Sequence, residues 1–141
     1  MRLARRSHRL LGKGGDAVNA ALALLFSAIV AVESNGNVNA IGDGGRAVGP
    51  AQIWAVTVRD INRIAGTRFT LADRHDLAKS ADMFRIYTDF YGARYGYPIT
   101  DETRARIWNG GPNGPRNKRA TERYWQKVRQ AHSTISASVG R

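Results

Sequence analysis

The chain has 141 residues, enough for one domain with a sizeable core. Its 22 Lys and Arg residues against 11 acids leave a formal charge of +11, a field that favours polyanionic partners: nucleic acid, anionic membrane or an acidic cell-wall polymer. It has no cysteine, which excludes disulfides and thiolate metal sites; His8, His75 and His132 lie far apart without ligand spacing and read as surface residues.

The chain opens on a basic stretch, "MRLARRSHRLLGKGG", followed by an apolar one, "ALALLFSAIVAV". That is the grammar of a signal peptide, and the small residues of Val38–Ala40 suit a cleavage site. The apolar run falls short of the roughly 20 residues a bilayer span requires, and Asn19 and Ser27 interrupt it. Read instead as a globular helix, it starts behind Gly14-Gly15 with Asp16 as N-cap and runs to Glu33, apolar on nearly all faces like a central core helix. The two readings differ on Glu33: cleavage after Ala40 removes it, and a core helix keeps it. The downstream elements favour the core helix.

Ser34 to Gly49 forms a loop rich in Asn and Gly. Pro50 suits the first turn of a second helix, which places Gln52 in that turn and Ile53, Val56, Ile61 and Ile64 near helical spacing before Gly66 ends it. "TRFTLADRHD" is a connector. A long amphipathic helix follows, with Leu77, Ala81, Phe84, Tyr87 or Thr88, and Tyr91 on one face, until Tyr97-Pro98 breaks it. Thr100 caps "DETRARIW", whose Asp101 and Glu102 sit where the helix dipole favours acids. "NGGPNGP" is a stop, and a last helix runs from Thr121, as cap, to Ala131. No strand pattern, solenoid repeat or heptad run is present. The expected architecture is a mostly α single domain over residues 14–132, between a basic tail (1–13) and a flexible one (133–141), and a monomer without a membrane span.

Glu33 is the chemically suggestive residue. A helix C-terminus carries partial negative charge and apolar neighbours remove water, so both disfavour the ionised carboxylate and raise its pKa. Such a group stays protonated near neutral pH and can act as a general acid. Downstream, "GDGGRAVGPAQI" supplies glycines that let backbone approach a ligand closely, with Gln52 beside them. "RIWNGGP" adds an aromatic platform at Trp108 and an amide at Asn109. Ring faces, neutral amides and bendable backbone are what a sugar-binding cleft requires.

The order "VESNGN", "VGPAQI", "RIWNGGP", "TERYWQKV" resembles goose-type lysozymes and the catalytic domains of soluble lytic transglycosylases, over roughly residues 16–130. That resemblance implies a lysozyme-like α fold with a cleft between helices and cleavage of the β-1,4 bond between N-acetylmuramic acid and N-acetylglucosamine in peptidoglycan. The resemblance implies Glu33 of the "ES" element as catalytic acid, and Ser34, Gln52, Trp108, Asn109 and Tyr124 as substrate-binding positions. The Asn- and Asp-containing loop lacks the spacing of a calcium loop, so no metal is expected, and no cofactor is proposed. Two departures stand out. The usual aromatic before the Asn is a Tyr whose hydroxyl can reach the acid, whereas the Trp108 indole can only donate through its N–H. Ala120-Thr121 stands where the family often has Glu-Thr.

Asp43, in "GDGG", has two readings. The resemblance allows it to place a hydrolytic water opposite Glu33, as in goose-type lysozymes; lytic transglycosylases use one Glu and close a 1,6-anhydro ring with the sugar's own 6-hydroxyl. Asp is also common as a plain turn residue in such a loop. An anionic wall polymer accounts for the charge of the chain. A basic α-helical nucleic-acid binder, gripping phosphates through "RLARRSHR" and "GPRNKRATER", explains the charge but gives Glu33, Gln52 and Asn109 no task, so no nucleic-acid partner is expected. A catalytically inactive wall-binding relative is the other alternative.

Overall fold

The structure, a computed structural model, describes residues 2–140. The described residues form five α-helices and one two-stranded antiparallel sheet, confirming the mostly α class. Helix α1 (Arg2–Ser34) is central. Its Leu25, Phe26, Ala28, Ile29 and Val30 are all buried, which is why the sequence there is apolar on consecutive positions rather than along one stripe. It ends where Asn35 (φ 53°) and Gly36 (φ 83°) turn left-handed and the Asn35 N–H donates to the Ala31 carbonyl. At its start α1 differs from expectation: it runs through Gly14-Gly15 from Arg2 instead of beginning at Asp16. A helical Gly costs only about 1 kcal/mol relative to Ala, too little for a pair to force an end.

Between α1 and the second helix lies a small sheet that the sequence did not announce. Strand β1 (Ile41–Gly42) pairs antiparallel with β2 (Ala47–Val48), in the register Ile41 to Val48 and Gly42 to Ala47, across a 3-10 turn at Asp43–Gly45. Two-residue strands cannot display an alternating pattern, so sequence periodicity is blind to them. Val48 also bridges to Ile53, which folds residues 49–53 back on the sheet. This corrects the second helix: α2 spans Ala55–Ala65, and Pro50 and Gln52 belong to the turn before it. Gly66 (φ 65°) ends α2, as expected from the sequence.

Helix α3 spans Leu77–Arg94 behind an Asp76 cap, and α4 spans Asp101–Gly110 behind Thr100, whose side chain accepts from the Thr103 N–H. The buried face of α3 is Ser80, Met83, Phe84, Thr88 and Gly92, so Phe84 and Thr88 keep their expected place while Leu77 is exposed. Helix α5 covers Lys118–Val139. It starts before Thr121 and continues through residues 133–139, which were expected to fray. Thr121 is not its cap but a buried residue inside it, accepting from Arg106 Nη1. Helix α5 lies along α1 and α4; α3 joins α4 to α2. Phe84 sits at the centre, against Phe26 (5.6 Å between ring centroids) and Trp108 (5.3 Å). No helix among the described residues is long and apolar enough to cross a membrane.

Candidate active site

Glu33 occupies the last turn of α1, where the core helix meets the β-loop. Around it opens a cleft of about 230 Å³ lined by Glu33, Asp43, Gln52, Ile53, Trp54, Thr57, Tyr87, Trp108 and Asn109. Five of the residues singled out from the sequence thus meet in one concavity: Glu33, Asp43, Gln52, Trp108 and Asn109. They come from the end of α1, the 3-10 turn, the turn before α2 and the end of α4.

Burial raises the Glu33 carboxyl from an ordinary 4.5 to about 7. Two smaller effects oppose one another: the hydrogen bond from Tyr124 lowers the value and the charge of Asp43 raises it. Tyr124, on α5, donates its hydroxyl to Glu33 Oε2 at 2.9 Å, and it stands outside the residues that line the cleft. Burial pushes the Tyr124 hydroxyl well above 10, with the charge of Glu33 adding to the rise, so it remains a donor at every pH at which Glu33 titrates.

The loop that carries Gln52 is fastened on several sides. Gln52 is held at φ 54°, a left-handed conformation costly for a non-glycine residue, and its Nε2 donates to the carbonyls of Gly49 (3.0 Å) and Ala40 (3.2 Å). Gly42 leaves the space that Gln52 requires: a Cβ there would stand 2.4 Å from Gln52 Oε1. Gly49 (φ 85°) packs against backbone, since its Cβ would meet the Arg74 carbonyl oxygen at 1.8 Å. From the 3-10 turn at Leu71–His75, Arg74 Nη1 donates to the Ile53 carbonyl (3.2 Å) and His75 Nδ1 lies 2.9 Å from the Val38 carbonyl. His75 is an exposed residue, as read from the sequence, and it anchors this loop.

Ser34 and Trp108 hold the same loop from the other side. Ser34 Oγ donates to the Pro50 carbonyl at 2.8 Å, with the Val30 carbonyl as second acceptor at 3.2 Å, and Ser34 lies outside the cleft lining. Trp108 Nε1 donates to the Ala51 carbonyl at 3.2 Å, and its ring stands edge-on to Phe84 and, at 5.7 Å, to Tyr87. The indole N–H therefore faces the loop rather than the acid. The hydroxyl that reaches Glu33 comes from Tyr124, across 91 residues of chain.

Sequence reading missed Trp54, Thr57 and Tyr87. Trp54 follows "GPAQI" directly and is 37% exposed, with the Arg46 guanidinium over its ring at 5.6 Å. An exposed Trp at the end of a glycine-rich loop was the available signal. Tyr87 was placed on the core face of α3 and is half-buried, with the cleft on its open side. Asp43 is exposed, at φ 50°.

Among the curated proteins, a lysozyme of Magallana gigas is 38% identical over 72 residues, which make up 51% of this chain and 51% of that protein. The chain thus spans about half the length of the curated relative it matches. No family model matches. Over that stretch the chain is similar to a lysozyme, and the similarity singles out no lysozyme subfamily.

Proposed function

We propose that this chain is a peptidoglycan-cleaving glycosidase of the muramidase type, acting on the β-1,4 bond between N-acetylmuramic acid and N-acetylglucosamine at the bacterial cell wall. The observation that carries the reading is a carboxyl held protonated to about pH 7 at the edge of a cleft walled by Trp54, Tyr87 and Trp108. Glu33 is the general acid: it gives its proton to the glycosidic oxygen as the bond to the leaving sugar breaks. Tyr124 is a positioning residue that orients the carboxyl through Oε2, leaving Oε1 for the substrate. Gln52 and Asn109 offer neutral amide contacts to the sugar, and the exposed Trp54 a ring face. Ser34 fixes the loop against the acid. The catalytic unit is residues 14–132, working as a monomer without a cofactor.

Asp43 favours hydrolysis over ring closure. It lines the same cleft and is near enough for its charge to act on Glu33. An inverting pair of carboxyls leaves room between them for a water, and Asp43, exposed to solvent, takes the role of base. The nucleic-acid reading still accounts for the charge and gives this buried acid no part. Mass analysis of muropeptides released from purified peptidoglycan tests the proposal. Hydrolysed, reducing ends are expected. Products lighter by one water would replace the Asp43 step by closure on the 6-hydroxyl, and no release at all would end the glycosidase reading.

Gly42→Ala gives an independent check on the loop. The new Cβ displaces the flexible end of Gln52, not backbone, so the fold survives while the cleft wall moves. Cleavage is expected to slow by about tenfold to a hundredfold, the scale of a misplacement of about 1 Å, with little change in melting temperature. Full activity in this variant would remove Gln52 from the substrate site.

A further inference from the structure

Beyond the catalytic cleft along α3, a second depression of about 440 Å³ is lined by Arg63, Phe90, Tyr91, Arg94, Tyr95 and Arg116. A continuous row of rings joins the two. Tyr87, in the wall of the first cleft, meets Tyr91 edge-on at 4.9 Å; Tyr91 meets Tyr95 at 6.2 Å, and Tyr95 meets Tyr97 at 5.8 Å. Tyr87, Tyr91 and Tyr95 recur every fourth residue, so they stand above one another over about 12 Å of helix.

The cations around this row are of two kinds. Arg63 is held by Asp60, which also accepts from the Tyr91 hydroxyl and so fixes the rim between α2 and α3. Arg94 and Arg116 have no acidic partner among the described residues. Arg116 lies over two rings, 5.3 Å from the centroid of Tyr95 and 5.5 Å from that of Tyr97. A guanidinium held over ring faces rather than by an acid keeps its N–H donors for an anion, and their planar fork matches a carboxylate.

We propose that this depression is a second binding site, continuous with the catalytic cleft, for the carboxylates of the acids attached to the glycan strand; this rests on the peptidoglycan reading above. Arg94 and Arg116 bind the carboxylates, and the tyrosine row carries the strand between the two sites. Its effect is on binding of the polymer and not on the bond-breaking step.

The test compares the Glu33→Gln protein with Glu33→Gln carrying Arg94→Gln and Arg116→Gln, by co-sedimentation with intact purified peptidoglycan and with the same material after its carboxyls are capped as amides. Both arginines are exposed, so the variants are expected to fold, and matching melting curves check this. The arginine variant should bind the untreated polymer about fivefold to thirtyfold more weakly, the scale of two exposed charge contacts. Both proteins should bind the capped polymer equally. Equal binding to the untreated polymer overturns the site, and so does a deficit that persists undiminished after capping. Cleavage is read separately with wild-type Glu33: a protein that shows arginine-dependent binding but cuts nothing refutes the glycosidase reading and leaves the carboxylate site standing.

Discussion

Replacing Glu33 with Gln is expected to lower peptidoglycan cleavage by about a thousandfold, within the range for loss of a general acid, and at the same time to make the protein more stable at alkaline pH. The activity loss follows from the chemistry: Gln keeps the shape and can still accept the Tyr124 hydrogen bond, but it has no proton to give. The gain in stability follows from the raised pKa. The folded protein holds the Glu33 proton to about pH 7, while the unfolded chain releases it near 4.5. Between those values the folded state binds more protons, so stability falls as pH rises. The cost is absent below about pH 4.5 and complete above about pH 7, where it amounts to about 3 kcal/mol. Chemical denaturation of both proteins at pH 4 and pH 8 checks the sign: the variant should gain on wild type only at the higher pH. An equal difference at both would mean that Glu33 titrates normally. One substitution that removes activity and adds stability is the signature of a site held against the fold's own preference.

The second large effect concerns the support behind the site. Arg106, on α4, is only 3% exposed, and its guanidinium ties α4 to α5. It donates to Glu102 (2.9 Å), to the Lys118 carbonyl (2.9 Å), to Thr121 Oγ1 (2.9 Å) and to Glu122. Thr121 in turn donates to the Gly114 or Asn117 carbonyl, so the stop sequence between the two helices closes around this one side chain. Arg106→Met keeps the apolar stem but removes the one buried donor that Glu102, the Lys118 carbonyl, Thr121 and Glu122 share. The expected loss is about 3 kcal/mol, or about 10 °C in melting temperature for a chain of this size. Glu122→Gln should do far less, because the Glu122 side chain is half exposed and water replaces the contact. A melting temperature unchanged by Arg106→Met would contradict this account of the α4–α5 junction.

What could be read from the sequence follows the range of the interactions. Helix α4 and its Thr100 cap, the Gly66 end of α2 and the buried α1 around Leu25–Val30 are determined within a few residues, and all are where the pattern puts them. The Gln52 turn is different. A left-handed Gln is sterically uncommon, so Pro50 pointed to a helix start; the pairing of Val48 with Ile53 and the fastening by Arg74 override that local preference. The start of α5 was misplaced for a related reason. Thr121 resembles a cap, and its partner Arg106 lies 15 residues away in another helix. In the site, the carboxyl and its loop were legible because charge in an apolar run and clustered glycines are local signals. The Tyr124 contact to Glu33, the Ser34 contact to Pro50 and the ring row from Trp108 through Tyr87 exist only once helices pack.

The pH dependence of kcat/KM for the wild-type protein on soluble glycan strands tests the central claim most directly, since it reports the ionisation of the essential acid in the free enzyme. Activity is expected to fall on the alkaline side through a midpoint near pH 7, as Glu33 loses its proton. A profile that stays level past pH 8, or that falls with a midpoint near 4.5, would contradict Glu33 as a general acid kept protonated by burial.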